Sequence, residues 1–448
     1  MRGRHRRISA GTIAMILFAA VVLCCACWMI AEIRNTDADI GTDAQRLAKT
    51  IAGMVSATET PPIIAITTAS SAATAKPQTY ATTTAQESVQ TASPQPAAVA
   101  QPQPTNADTY MISLTIGGEI AFDDEVIAGT YNAASNEYRL DETLDAIRSH
   151  VNADITIALL HVLPKMSAAN GFAAFLTAET LQKTGFQYAL LNSENALAAG
   201  ESGVNEMLSA LKEADVTPIG LKNASAENTL SLISVRGVSV ALIAYTDTLS
   251  SDSKKMVPDT AARENMINLF DLQQAQQNIL AARAAGADIV LVSMHWGGKN
   301  DTSPTSAQRK TAQALCDAGA DLIIGAHSDA VQPIEYLQST QDPNHRSLVA
   351  WSMGTLLSAS RVNREVVSGM LLHVVLSYDA QTGKIAFSSV RYTPTYCWGQ
   401  KEDGLFKYRV LCSAENPPES MSQKQREIMG RALKLIQTVM SDGVAVQR

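Results

Sequence analysis

The stretch from Asp288 to Glu335 constrains this chain more than any other. Two short apolar runs, Ile289 to Met294 and Leu322 to Ile324, each break off at a polar cluster that contains a histidine, His295 in the first and His327 in the second. Between them SPTSAQRKTAQALCDAG has helical spacing and good helix formers, with Gly319 as its stop. That is a strand, helix, strand unit, and a right-handed crossover makes its two strands parallel neighbours or near-neighbours. Both histidines then emerge at one edge of a sheet, at the carboxyl ends of strands, where open α/β sheets hold ligands.

The same phrase, a helix, a small loop, Asp and an apolar strand, recurs as AAGADIVLVS and DAGADLIIG, and more loosely as KTGFQYALL. Other strands are expected at Met111 to Ile116, ending in Gly117, Gly118 and Glu119; at Ile155 to Leu160, ending at His161; and at Gln187 to Leu191, ending at Asn192, Ser193, Glu194 and Asn195. Leu230 to Val235 and Val238 to Tyr245, joined at Arg236 and Gly237, read as a hairpin. Leu348 to Met353, Met370 to Tyr378 and a strand from Ile385 follow, and Ser422 to Met440 reads as an amphipathic helix that docks on the domain. Repeated alternation of helices with buried-type strands predicts an α/β class with a parallel or mixed sheet covered on both faces.

The N-terminal quarter has another character. Residues 1–7, MRGRHRR, form a basic segment with four arginines, and residues 8–31 are expected to be an uncleaved transmembrane signal anchor: no charge falls between Ile8 and Ile30. A cleaved signal peptide is the competing reading. The arginines before the span and Glu32 after it put the N terminus in the cytoplasm, leaving a single-pass protein of the cell membrane with its C-terminal domain extracellular. Cys24, Cys25 and Cys27 read as small apolar residues of that helix. Residues 37–108, rich in Thr, Ala, Ser, Gln and Pro, are expected to be a disordered linker. The formal charge of −8, more negative still outside the membrane, argues against a nonspecific sponge for polyanions, and no nucleic-acid signature is present.

HWG at His295 to Gly297, the phrase DAGADLIIGAH, the following VQPIE, LVAWSMGT at Leu348 to Thr355 and YTP at Tyr392 to Pro394 together resemble the bacterial CapA family, named for capsule and poly-gamma-glutamate synthesis. That family's fold is similar to the calcineurin-like metallophosphoesterases. The resemblance implies a layered α/β/α domain with mixed sheets over residues 110–395, followed by an extension, 396–448, that carries the helix. It implies a surface protein whose partner is a cell-envelope polymer or its synthesis machinery.

Departures from the family pattern bear on the chemistry. The family's Gly-Asp falls on Gly117 and Gly118, its Asn-x-Glu on Leu159, Leu160 and His161, and its Asn-Asn-His on Ser193, Glu194 and Asn195. Its acid after HWG is Lys299, its His-Pro-His is His327, Ser328 and Asp329, and its Asn after Ser-Leu-Gly is Thr355. A dinuclear site needs carboxylate, imidazole and amide ligands converging on two ions about 4 Å apart. His295, His327 and Asp329 remain as candidate catalytic and metal-ligating residues, and Glu194 and Glu119 as replacement metal ligands, with His161 at the same strand tips. Glu119 stands one position from the expected acid, which on a regular strand turns it to the opposite face, a rule that relaxes in a loop just past the strand. An intact dinuclear centre is not expected. One divalent ion, Mn or Zn, in a rebuilt site and a metal-free pocket both stay open.

The function so implied is capsule or poly-gamma-glutamate biosynthesis with metal-dependent hydrolase or transferase chemistry either weak or lost, as in a pseudoenzyme. The alternative is a noncatalytic extracellular binding or scaffold module. Each candidate also has a plain structural reading. His295 beside Trp296 is equally a packed, hydrogen-bonded histidine, Asp329 a turn or helix cap, His161 near Pro164 part of a loop, and Lys299 an exposed lysine. Lys299 or Arg309 would otherwise receive an anion. His373 and Cys316 read as core, and Cys397 and Cys412 as either a disulfide or two free thiols.

Overall fold

Strand and helix alternate as the sequence predicts, and they build two large sheets beside a small ribbon of Tyr131–Asn132 and Glu137–Tyr138. The computed structural model describes residues 109–162, 172–224, 231–361, 367–402, 404–440 and 444–447. In chain order the strands are β1 Thr109–Ala121, β2 Tyr131–Asn132, β3 Glu137–Tyr138, β4 Ile155–Val162, β5 Tyr188–Leu190, β6 Thr217–Ile219, β7 Ser231–Val235, β8 Val238–Thr246 and β9 Ile289–His295. They continue as β10 Leu322–Ala326, β11 Ile334–Gln338, β12 Arg346–Ala350, β13 Thr355–Leu357, β14 Ser368–Asp379, β15 Lys384–Glu402, β16 Leu405–Cys412 and β17 Ala445–Val446. One sheet has the order β16-β15-β14-β1-β4-β5-β6, with β13 on β1 and β17 on β15, and the other β11-β12-β10-β9-β8-β7. The basic segment, the anchor and the linker expected over residues 1–108 lie outside the described residues. Among the described residues no helix is long and apolar enough to cross a membrane.

Each sheet has a parallel centre, β1-β4-β5-β6 in one and β8-β9-β10-β12 in the other, flanked by antiparallel strands. Ile112, Leu114 and Ile116 of β1 and Ile157 of β4 share a core cluster with Leu242, Leu291 and Ile324 of the opposite sheet. The outer face of the first sheet is covered by helices Phe172–Thr184 and Gly200–Glu213, that of the second by Leu272–Ala284 and Ser306–Asp317. The arrangement is thus a layered, mixed α/β fold as expected, with the two sheets stacked as separate layers, α/β/β/α. Hydrophobic pattern shows that both faces of a strand are buried. It cannot show whether a helix or a second sheet does the burying.

The recurrent polar residue before each strand has a structural role at the amino ends of the sheets. Asp154 accepts the Ser113 N–H at 2.9 Å, Asp288 the Ser239 N–H at 2.8 Å and Asp321 the Val290 N–H at 2.7 Å. Gln187 does the same for the Thr156 N–H at 3.1 Å. Each residue introduces one parallel strand and satisfies the first free N–H of its neighbour, fixing register between them. Asp321 also pairs with Arg283 at 2.6 Å. Chemistry-bearing acids must therefore be sought at the other end.

The C-terminal region is continuous with this framework: β15 runs through residue 395 without a break, and β16 pairs along it. Helix Gln423–Val439, close to the expected span, opens with a Ser422–Gln425 capping box and buries Met429, Ala432 and Ile436. Cys397 and Cys412 are free thiols, both buried, as is Cys316. His373 sits in the sheet between Thr115 Oγ1 at 3.1 Å and Thr393 Oγ1 at 2.9 Å, in agreement with its core reading.

Candidate functional site at the carboxyl ends of both sheets

Five ionisable side chains meet where the parallel strands of the two sheets end. From the second sheet come His295, last residue of β9, and His327, just past β10; their strands are neighbours with Ala326 paired to His295. Their rings lie 4.6 Å apart, centre to centre, so the two histidines do converge. From the first sheet come Glu119 on β1, His161 on β4 and Glu194 after β5. Asn192 ties the sheets together here, its Nδ2 donating to the Tyr245 carbonyl at 2.8 Å and lying 3.1 Å from Ser293 Oγ.

Glu119 arrives by an irregularity that sequence period does not reveal. Ile116 pairs with Ile157 and Glu119 with Leu159, so β1 holds one extra residue at Gly117–Gly118. Such a bulge re-aims the side chains that follow it. Ile116 therefore faces the opposite sheet and Ile120 the outer helices, although they are four residues apart. Glu119 falls on the inner face with the other candidate ligands, because β1 is not regular here. Close packing requires glycine here, since a Cβ on Gly118 would lie 2.7 Å from the Met353 carbonyl. A compensating irregularity in the β1–β4 register, Ile120 to Leu160 and then Ala121 to Val162, leaves His161 as the extra residue beside Glu119.

The contacts are short. Glu119 Oε1 lies 2.8 Å from His161 Nδ1 and 3.2 Å from His295 Nε2, while Glu119 Oε2 accepts the His327 N–H at 3.0 Å. Glu194 Oε2 lies 3.0 Å from His295 Nε2 and 3.5 Å from His327 Nδ1, and its Oε1 3.1 Å from Lys299 Nζ. His161 Nε2 faces Asn195 Nδ2 at 3.5 Å, and the Ser193 hydroxyl donates to the His161 carbonyl. The turn that carries His327 has left-handed φ at His327 (94°) and Asp329 (60°). Non-glycine residues hold such angles at a cost on the order of 1–3 kcal/mol each, as they do at functional sites.

Asp329 stands at the rim. It accepts the Thr355 hydroxyl at 3.2 Å and acts on His161 through its charge, outside both three-residue groups at the strand tips. Arg309 is engaged elsewhere, paired with Glu335 at 2.8 Å and stacked over Trp351, so the anion-binding role offered to it has no support in the geometry. Two further residues belong to the tips. His161, read more readily as loop, is central. Asp247 follows β8, with its N–H donating to the His295 carbonyl at 3.0 Å. The available signal for Asp247 was the same as for the histidines: it is the first acid after an apolar run.

Burial raises the Glu119 carboxyl, but the facing imidazoles of His161 and His295 outweigh it and hold it well below the usual carboxylate range. Glu194 is likewise held far down, burial being overcome by His327, His161 and His295. Burial depresses His295. It also depresses His161, yet the charges of Glu119, Glu194 and Asp329 prevail and push that imidazole from its ordinary 6.5 up to about 9. The raised His161 stabilises the fold below pH 6.5 and loses that contribution as pH rises toward 9. The lowered carboxylates and His295 contribute in the opposite sense, losing stability as pH falls. The metal-free protein is accordingly expected to melt highest near pH 6.5 and several degrees lower by pH 9, with His161→Gln flattening the alkaline limb. A melting temperature that climbs steadily from pH 6.5 to 9 would contradict these assignments.

Two buried atoms, Glu194 Oε2 and His327 Nδ1, make no hydrogen bond despite their closeness. They are two of eight such side-chain atoms among the described residues; what sets this pair apart is that a carboxylate oxygen and an imidazole nitrogen face each other at 3.5 Å, as two ligands of one ion would. Two overlapping groups, Glu119/His161/His295 and Glu194/His295/His327, each bring three ligating atoms within 4.8 Å of one another. Carboxylate and imidazole donors in this number suit Mn or Zn.

Comparison with known proteins fits the motif resemblance. Residues 172–360 match the family described as bacterial capsule synthesis protein PGA_cap, a span that includes Glu194, His295 and His327 but neither Glu119 nor His161. The chain is 31% identical over 159 residues to the PGA biosynthesis protein CapA of Bacillus subtilis, covering 34% of this chain and 40% of that one. It is 28% identical over 162 residues to the capsule biosynthesis protein CapA of Bacillus anthracis, covering 36% and 38%. It therefore spans about two fifths of the relatives it matches. Among solved structures it is similar to the calcineurin-like phosphoesterase YfkN of Bacillus subtilis, at 14% identity and a TM-score of 0.35, covering 73% of this chain and 98% of that one. A likeness that slight carries no argument about chemistry.

Proposed function

We propose, given the capsule synthesis family match over residues 172–360, that this chain acts in the assembly or trimming of an anionic cell-envelope polymer of the capsule or poly-gamma-glutamate kind. In this reading it works at the outer face of the membrane, held there by residues 8–31, through a rebuilt single-metal site. The observation that carries the reading is the pair of buried, unsatisfied atoms, Glu194 Oε2 and His327 Nδ1, facing His295 Nε2 between the two sheets.

Glu194, His295 and His327 would hold the ion, with Glu119 Oε2 accepting the His327 backbone N–H from the other side. A divalent ion there would supply Lewis-acid polarisation of a substrate oxygen and a more acidic bound water. The protein's own residues do the rest. His161, kept protonated by Glu119, is positioned to give up a proton to a leaving group. Lys299, half-exposed at the mouth, offers an ammonium to an anionic chain that the acidic surface otherwise repels.

A noncatalytic binding module is the second reading, and the Glu119–His161 pair favours it, because the two groups satisfy each other without an ion. Metal analysis and turnover separate the two. The full-length protein is expected to retain about one equivalent of Mn or Zn and to hydrolyse phosphoester or gamma-glutamyl model substrates, with both properties lost in His327→Ala. A protein free of metal and inert on both substrate classes would leave the binding module as the function.

A further inference from the structure

Lone pairs limit what the cluster can hold, and the limit points to Lys299. The inference rests on the reading that the site takes a divalent cation. The two overlapping groups of three share one atom, His295 Nε2, 3.2 Å from Glu119 Oε1 and 3.0 Å from Glu194 Oε2. A neutral imidazole has one nitrogen lone pair to give, so His295 serves one ion and not two. The Glu119/His161 group has a further restriction, since His161 Nδ1 and Glu119 Oε1 already pair at 2.8 Å. The unsatisfied atoms belong to the other group, Glu194 and His327.

Glu194 divides its carboxylate between imidazoles and an ammonium. Oε2 faces His295 and His327, while Oε1 meets the Lys299 ammonium at 3.1 Å and lies farther, 4.0 Å, from His161 Nε2. Glu194 is buried, whereas 51% of the Lys299 side chain is exposed, so the lysine reaches inward from the mouth to a fixed anion. We propose that the site takes a single divalent cation and that Lys299 is its built-in second positive charge. The ammonium occupies the oxygen that a second ion would need, repels such an ion, and weakens the hold on the first by drawing charge from the shared carboxylate.

Titration of the metal-free, full-length protein with Mn2+, followed by calorimetry and by metal analysis after desalting, tests this. Wild type is expected to bind one ion per chain. Lys299→Met should also bind one, about tenfold more tightly, an effect moderated by solvent at this half-exposed position. Lys299→Arg should match wild type, and Lys299→Gln gives a second neutral variant should the methionine disturb folding. Two ions in wild type, or unchanged or weaker affinity in both neutral variants, overturns the inference while leaving the metal reading intact. No ion in wild type overturns both.

Discussion

Replacing His295 with alanine is expected to lower the affinity for Mn2+ by more than about a hundredfold, beyond the 10 to 100-fold typical of losing a residue that only orients a ligand. His295 is the residue common to both groups at the strand tips, so neither keeps three ligands after its removal; the separate His150/Cys412/Glu415 group lies elsewhere and is unaffected. The same change removes the imidazole between Glu119 and Glu194, both buried, and leaves two carboxylates facing each other. Breaking a buried pair from one side costs about 3–5 kcal/mol, and the His161–Glu119 contact places this case near the lower figure. Calorimetry and urea unfolding of the metal-free protein read the two effects separately. Near-normal Mn2+ affinity in His295→Ala would remove this residue from the site.

Gly325→Ala should cost about 3 kcal/mol through overpacking, with a loss of cation affinity following from it. A Cβ at this position would stand 1.9 Å from the Trp351 carbonyl oxygen and 2.6 Å from Trp296 Nε1. The Trp296 indole N–H donates to that same carbonyl at 3.2 Å, and the two indoles stack at 5.8 Å beneath His295 in the chain. None of these atoms is the free end of a flexible side chain. The methyl must push β10 away from the chain that follows β12, and His327 lies only two residues further on. Urea unfolding that shows a loss below about 1 kcal/mol would contradict the packing argument.

How far the sequence disclosed this arrangement depended on where each residue sits relative to a regular strand. His295 and His327 were legible because each ends an uninterrupted apolar run, and the crossover rule then places them side by side. Glu194 follows the same logic after β5. Glu119 was named as a replacement ligand although a regular strand would turn it away, and the register shift at Gly117–Gly118 is what inverts the period of two and brings it inward. The glycine pair itself was the visible sign of a bulge. His161 was discounted as loop although it lies within β4, beside the second irregularity in the same pairing. The Asp in the recurrent phrase was seen but not understood until the sheets showed it joining neighbouring strands at the amino ends. The number of sheets could not be read from the apolar pattern, which records burial without recording what does the burying; more than one was expected only through the family resemblance.

Pulsed electron paramagnetic resonance of Mn2+ bound to the full-length protein tests the central claim most directly, because it detects histidine nitrogen on the metal itself. A side-chain cluster spanning both sheets and holding one ion predicts imidazole nitrogen couplings at a single Mn2+ per chain, reduced in His327→Ala and lost in His295→Ala. A spectrum of fully hydrated Mn2+, or nitrogen couplings that persist unchanged in His295→Ala, would contradict it.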